Sequence, residues 1–313
     1  MPLQLDETTA FATGLYQGVQ LVADYMKQKS PLIEDVFCKP DTGHRDACIK
    51  ALWLRSSAWL QSLELLNHAK HVQAISMANR ALLEITVDLV LLHHDKTNLS
   101  GWKMFQWGIS ERMRAAEQTI GFYKERGRPI PDRYQDLDNF FLNEKSIVDD
   151  YRIRLWPNRK NPQKPVHPAR WTGSSDLSVD IEEADRLYGS ESQDNIGMTL
   201  LEYYRTEYRK MNWQIHSGVA GVWNFEAPVF ELIAGVAMKW CADFGMFCTK
   251  IALRDFGYVQ AVEGLTKEWD DVKTRRAFVF AEVQQGLDEL GDPLKKASDY
   301  VLNKNSDLYK RLS

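Results

Sequence analysis

The stretch ANRALLEITVDLVLL, Ala78 to Leu92, is apolar on almost every side. A helix that faces solvent shows a broad polar face. This one offers only a narrow stripe, with Arg80, Glu84 and Asp88 at i, i+4 and i+8. It predicts a helix from about His71 to His94 that other helices surround. The charges then pose a problem, because an unpaired ion in such surroundings costs several kcal/mol. Arg80 and Glu84 can pair along the helix, which leaves Asp88 to find its partner on another element. Two explanations stay open. The stripe is an internal ion-pair network that fixes helix register, or it lines a polar cavity in which Arg80 and Glu84 orient catalytic groups of another helix.

Outward from this stretch helical periodicity dominates, and no sustained alternation marks a sheet. Helices are expected over about Thr8–Lys29, Arg45–Asn67, Trp102–Arg126, Asp132–Trp156, Ile181–Tyr188, Ile196–Ile215 and Pro228–Phe256, with two more over Thr266–Leu290 and Pro293–Leu312. In the second, Leu52, Trp59, Leu63 and Leu66 should form the buried side. Gly127 and Pro129 stop the fourth. Pro228 suits a first helical turn, and Ala234, Gly235, Ala237, Ala242 and Gly245 let a neighbouring helix come close. The prediction is one all-α domain over residues 1–313, with a core bundle at 45–256 and peripheral helices in 1–44 and 257–313. Between the helices, Trp156 to Gly173 holds four prolines together with Arg159, Lys160, Lys164 and Arg170. It reads as a long connector, either a solvated linker or a functional loop.

Composition narrows the function. The chain has 313 residues, 44% hydrophobic and 26% charged, as in ordinary soluble globular proteins. A net charge of −4 supplies no global field for nucleic acid or anionic membrane, so a polyanion must be met by a local patch. No basic segment followed by an apolar run opens the chain, and its apolar runs are short and broken by charge. A cytoplasmic protein without a membrane span is expected. Cys38, Cys48, Cys241 and Cys248 form no C-x2-C pair, so reduced, buried thiols are expected rather than zinc ligands. No Glu stands three residues before any of the seven histidines, which removes the di-iron bundle. Walker, dinucleotide-binding and nucleophile-elbow motifs are all missing. No metal or cofactor is expected.

One segment carries a concentration of chemistry: YRKMNWQIHSG, Tyr208 to Gly218. At helical spacing Arg205, Arg209, Asn212 and His216 fall within roughly 60° of one another. Tyr204, Tyr208, Met211 and Ile215 lie on the adjoining face, the expected core side. Histidine moves protons near neutrality, arginine offers a fork to a phosphate, and asparagine can orient either. The structural alternative is equally concrete. A histidine near a helix C-terminus is favoured by the macrodipole, and Asn212 can simply bond to it.

Taken together, RALLEITVDLVLL, RWTGSS, EEADRLYG and EYYRTEYRKMNWQIHSG resemble an uncharacterised family of bacterial all-helical proteins, over roughly Arg45 to Phe256. More remotely the chain resembles the HEPN superfamily, whose signature is an arginine, four to six residues and a histidine. Arg209-KMNWQI-His216 fits that signature. Asn212 stands where the family often has serine, and Lys210 where many superfamily members have Asn, Asp or His. The resemblance implies an HEPN-like bundle and a metal-independent endoribonuclease of a toxin–antitoxin or anti-phage system. Its catalytic residues would be Arg209, His216 and Asn212, supported by Arg80, Glu84, Asp88, Tyr208 and Arg205. Arg159, Lys160, Lys164 and Arg170 would guide RNA, with Trp171 stacking on a base. It also implies a homodimer with the two R-x6-H helices facing across a shared cleft, and a cognate antitoxin or defence partner. The rival reading is a non-catalytic helical module that binds a nucleotide, RNA or protein.

Overall fold

The computed structural model describes residues 18–33, 43–66, 71–95, 97, 99–208 and 227–274. Regular structure among them is helical throughout, with no strand. In chain order the helices are α1 (residues 18–33), α2 (His44–Leu65), α3 (Val72–His94), α4 (Leu99–Glu125), α5 (Gln135–Leu155), α6 (Leu177–Ile196), the short α7 (Leu200–Tyr203), α8 (Ala227–Asp255) and α9 (residues 259–274). A 3-10 turn at Asp132–Tyr134 leads into α5, and a π turn at Tyr204–Tyr208 continues α7.

As expected from ANRALLEITVDLVLL, α3 lies at the centre, against α2, α6 and above all α8. Every residue from Leu82 to Leu92 except Glu84 is buried. Helix α8 is its counterpart, with all residues from Trp240 to Leu253 buried. Each Leu, Ile, Val or Phe so enclosed contributes about 1.5–3 kcal/mol relative to exposure. Several polar groups inside this seam are paired. Thr86 Oγ1 lies 3.2 Å from Cys248 Sγ, and Asn79 donates from Nδ2 to Ala237 O at 3.3 Å. Cys48, Cys241 and Cys248 are free and buried, so the expected reduced thiols are found at those positions. Cys38 lies outside the described residues.

Close approach depends on small residues at two crossings. A Cβ at Gly245 of α8 would stand 2.5 Å from Leu60 Cδ1 of α2, and one at Gly101 of α4 would collide with the Arg45 backbone. In α2 the buried face includes Leu52 and Leu63 as expected, together with Trp53 and Leu60, whereas Trp59 is half-buried. Gly127 ends α4 with φ +59; its N–H donates to Lys124 O and that of Arg128 to Tyr123 O. This left-handed stop is one that glycine reaches without strain. Among the described residues no helix is long and apolar enough to cross a membrane.

Two expectations change. The helix predicted to stop at Tyr188 runs on to Ile196, with a kink at Tyr188 where φ is −136°. The ring of Tyr188 packs there against His93, His94 and Phe247, so packing across helices sets the bend. The segment expected to be one helix from Ile196 is broken by Gly197 in a left-handed conformation, then restarts at α7 under a Thr199 cap.

Candidate functional site

Arg80, Glu84 and Asp88 do not act as one stripe. Arg80 Nε donates to Glu84 at 3.0 Å, as the i, i+4 spacing predicts. The guanidinium also lies 6.0 Å from the centre of the Tyr208 ring. Its bond to Glu84 holds its pKa above the usual arginine value. The pair therefore marks the edge of α3 that faces the π turn. Tyr203, one turn earlier, is fully buried and bonds through its hydroxyl to Asn79 Oδ1. Asn79 was invisible to motif reading because it is neither charged nor part of a repeat. The Asn79–Tyr203 bond fixes α7 on α3, and Tyr204 and Tyr208 stack at 4.9 Å beyond it.

A π turn stands at the start of the expected Arg205-to-His216 stripe. Its residues advance by less than the 100° used to group those side chains, because each bond spans i to i+5. Arg205 is an outer residue, 63% exposed and 3.3 Å from Glu182 of α6. It does not share the sheltered position expected of it. Arg209, Asn212 and His216 lie outside the described residues, as do Lys210, Met211 and Ile215.

Asp88 finds its partner in the connector. Arg170 reaches Asp88 at 2.5 Å through Nη2 and Asp180 at 2.8 Å through Nε, bridging α3 to α6. The Trp171 indole donates to the same Asp88 oxygen at 2.7 Å, and Thr172 donates to Asp180 at 2.7 Å. Burial pushes the Asp88 carboxyl up to about 6 even with Arg170 beside it. Next, Gly173 takes φ +89 and lies against the Trp156 ring, whose Nε1 donates to Trp171 O at 3.0 Å. Asp176 then caps α6 by accepting from Ser178 N and Val179 N. Each residue of RWTG and the following cap thus has a structural partner.

This corrects two expectations. Trp171 is 2% exposed and offers no face to a nucleotide base, and Arg170 spends its guanidinium on two carboxylates instead of a phosphate. Arg159, Lys160 and Lys164 are exposed on the same connector. Nor is the connector a free linker along its whole length. Arg152 of α5, 2% exposed, donates to Ser110 Oγ at 2.7 Å, to Asp149 at 2.9 Å and to His167 Nδ1 at 3.0 Å. A guanidinium only donates, so His167 accepts at Nδ1 and gives its Nε2 proton to Glu117 at 2.9 Å.

A second polar group sits at the C-terminal turn of α3. Asp255 Oδ1 accepts from Arg45 and from His93 Nδ1, each at 2.8 Å. Next to it a groove of about 340 Å³ is lined by His94, Lys103, Trp171, Thr172, Glu183 and Leu187. Among the described residues no three His, Cys, Asp or Glu side chains come together in a way that would hold a metal ion. No protein-family model, curated protein or solved structure matches this chain.

Proposed function

We propose that this chain is an HEPN-like helical bundle that cleaves RNA without a metal, as a toxin or an anti-phage defence nuclease. The observation that carries the reading is the Arg80–Glu84 pair at 3.0 Å, with the Arg80 guanidinium 6.0 Å from the Tyr208 ring. It delivers a charged, partly exposed group from the buried central helix to the end of the segment that leads into Arg209. The π turn at Tyr204–Tyr208 adds support, since such turns recur at functional sites.

In this mechanism His216 takes the proton from a ribose 2′-hydroxyl, whose oxygen attacks the adjacent phosphorus. The bond from phosphorus to the 5′-oxygen breaks, and the leaving oxygen recovers a proton. The products are a 2′,3′-cyclic phosphate and a free 5′-hydroxyl. Arg209 stabilises the charge that builds on the phosphoryl oxygens, and Asn212 orients His216. Arg80 and Glu84 support that constellation from α3. Arg159, Lys160 and Lys164 draw the strand to the protein.

The test is incubation of labelled RNA with the purified protein in EDTA, beside Arg209→Ala and His216→Ala. Each substitution should lower the cleavage rate by about 100-fold or more, the usual contribution of a positioned acid–base or oxyanion group. Cleavage that survives both substitutions would overturn the assignment. A second reading is a non-catalytic module that binds RNA, a nucleotide or protein; Trp171 is buried and Arg170 engages Asp88 and Asp180, so two of the five expected RNA contacts are spent on structure in either reading. It predicts RNA retention on a filter with no cleavage by the wild-type protein.

A further inference from the structure

The tip of the α4–α5 hairpin reads FYKERGRPIPDRY, residues 122–134, with four cations and two carboxylates. Lys124, Arg126, Arg128 and Arg133 are all exposed. Farther along the same two helices, Arg114, Lys145, Arg152 and Arg154 each form a salt bridge with a carboxylate. Among the described residues, none of the four tip cations does. Three of them lie over aromatic rings instead. Arg126 sits 4.0 Å from the centre of the Phe122 ring, Arg133 4.9 Å from that of Tyr134 and Lys124 5.5 Å from that of Phe141. Phe122, Tyr123 and Tyr134 follow one another at 5.3 and 5.9 Å, so rings and guanidinium groups form one continuous surface.

The tip is also held in shape. Gly127 turns the chain with φ +59, Pro129 and Pro131 fix two more φ angles, and Tyr134 N donates to Pro131 O at 2.8 Å. Such a loop loses little freedom when a ligand docks. With a net charge of −4, the chain can meet a polyanion only through a local patch, and this one supplies it. Single-stranded RNA suits the patch, because its phosphates pair with cations and its unstacked bases with aromatic or guanidinium planes. An anionic membrane suits it less well. Phe122, 46% exposed, is the only large exposed hydrophobic side chain among residues 122–134, and one ring makes no apolar face to insert.

We propose that the tip of the α4–α5 hairpin is a docking surface for single-stranded RNA, with phosphates on Lys124, Arg126, Arg128 and Arg133 and a base stacked on the Phe122–Arg126 pair. The proposal deepens the RNA reading above and rests on its ligand, though not on its catalysis. It sets the strand on residues outside the Trp156–Gly173 connector. Stacking at Phe122 takes the place of the stacking expected at Trp171, which is buried.

Fluorescence anisotropy with a labelled single-stranded 2′-O-methyl oligoribonucleotide of about 12 residues tests it, since that probe offers no 2′-hydroxyl to attack. The wild-type affinity should fall with salt at a log–log slope of about −3, as four phosphate contacts on a single strand require. Arg126→Glu with Arg133→Glu should weaken binding by about 30-fold or more and bring the slope to about −1.4, with unchanged circular dichroism. Phe122→Ala should weaken binding by about tenfold and leave the slope as it is. His216→Ala should bind the probe as wild type does, so a failed catalytic assignment leaves this surface standing. A probe held equally by wild type and by the tip variants would overturn the surface while leaving RNA as the ligand, and so would RNA cleavage without probe binding. A wild type that neither binds nor cleaves RNA would overturn both. Binding to phosphatidylserine vesicles but not to the probe, lost in the double Glu variant, would assign the patch to a membrane and overturn RNA as its ligand.

Discussion

Replacing Arg170 with leucine takes the cation out of a site that holds two carboxylates. Arg170, Asp88 and Asp180 are 12%, 13% and 4% exposed at their side chains. Removing one partner from a buried ion pair leaves an uncompensated charge and costs about 3–5 kcal/mol. The loss is a large fraction of the roughly 5–15 kcal/mol by which domains are stable. Its pH dependence identifies the cause. In wild type the Asp88 carboxyl stands at about 6, above its ordinary 3.8, because burial disfavours the anion. Its contribution to stability is therefore fully present below about pH 4 and is lost as pH rises through 6, by up to about 3 kcal/mol. Without Arg170 that carboxyl rises further, so the penalty at pH 7 grows. By pH 5 both proteins carry Asp88 largely protonated, and its share of the difference disappears. The loss in Arg170→Leu should thus shrink by about 1–2 kcal/mol from pH 7 to pH 5. Urea unfolding followed by circular dichroism at the two pH values measures it. A loss below about 1 kcal/mol at pH 7, or an equal loss at both pH values, would refute the bridge as the connector's anchor.

Two further substitutions probe the packing. Gly101→Ala would drive a methyl into the Arg45 backbone at the α2–α4 crossing, where no side-chain rotation relieves it; unfolding should show a loss of about 3 kcal/mol or more. Lys250 is 7% exposed, donates to Asn195 Oδ1 at 2.8 Å, and is held down to about 8 by burial. Its depressed value makes the site most favourable above about pH 10.5, with that advantage lost as pH falls through 8. Lys250→Met should therefore raise stability at pH 7 by about 1–2 kcal/mol, and thermal melts at pH 7 and 10 should show the gain fading at the higher pH.

The central helix was legible because its signal is local. Fifteen residues with one narrow polar stripe can be accommodated only where other helices surround them, and Arg80 with Glu84 meet by helical geometry alone. The small residues of α8 and the glycine stop of α4 were legible for a related reason: backbone approach and positive φ exclude most side chains. The requirement that Asp88 find a partner also followed from burial, without revealing which residue would supply it.

The partner itself came from 82 positions away along the chain, and only the tertiary structure selects Arg170. A basic, proline-rich segment has the same composition whether it guides RNA or clasps two helices. What separates the roles is whether a buried carboxylate waits opposite, as Asp88 and Asp180 do. Asn79 with Tyr203, and the kink at Tyr188, likewise depend on atoms brought together across helices. The π turn is a different case. Fixed helical spacing assigned Arg205 to a sheltered stripe, whereas the fold has a π turn there and sets Arg205 beside Glu182, 63% exposed. Sequence by itself determined which segments are helices and which charges need partners, because propensity and burial act residue by residue. Tertiary structure decided who the partners are, because pairing energy depends on distance in space.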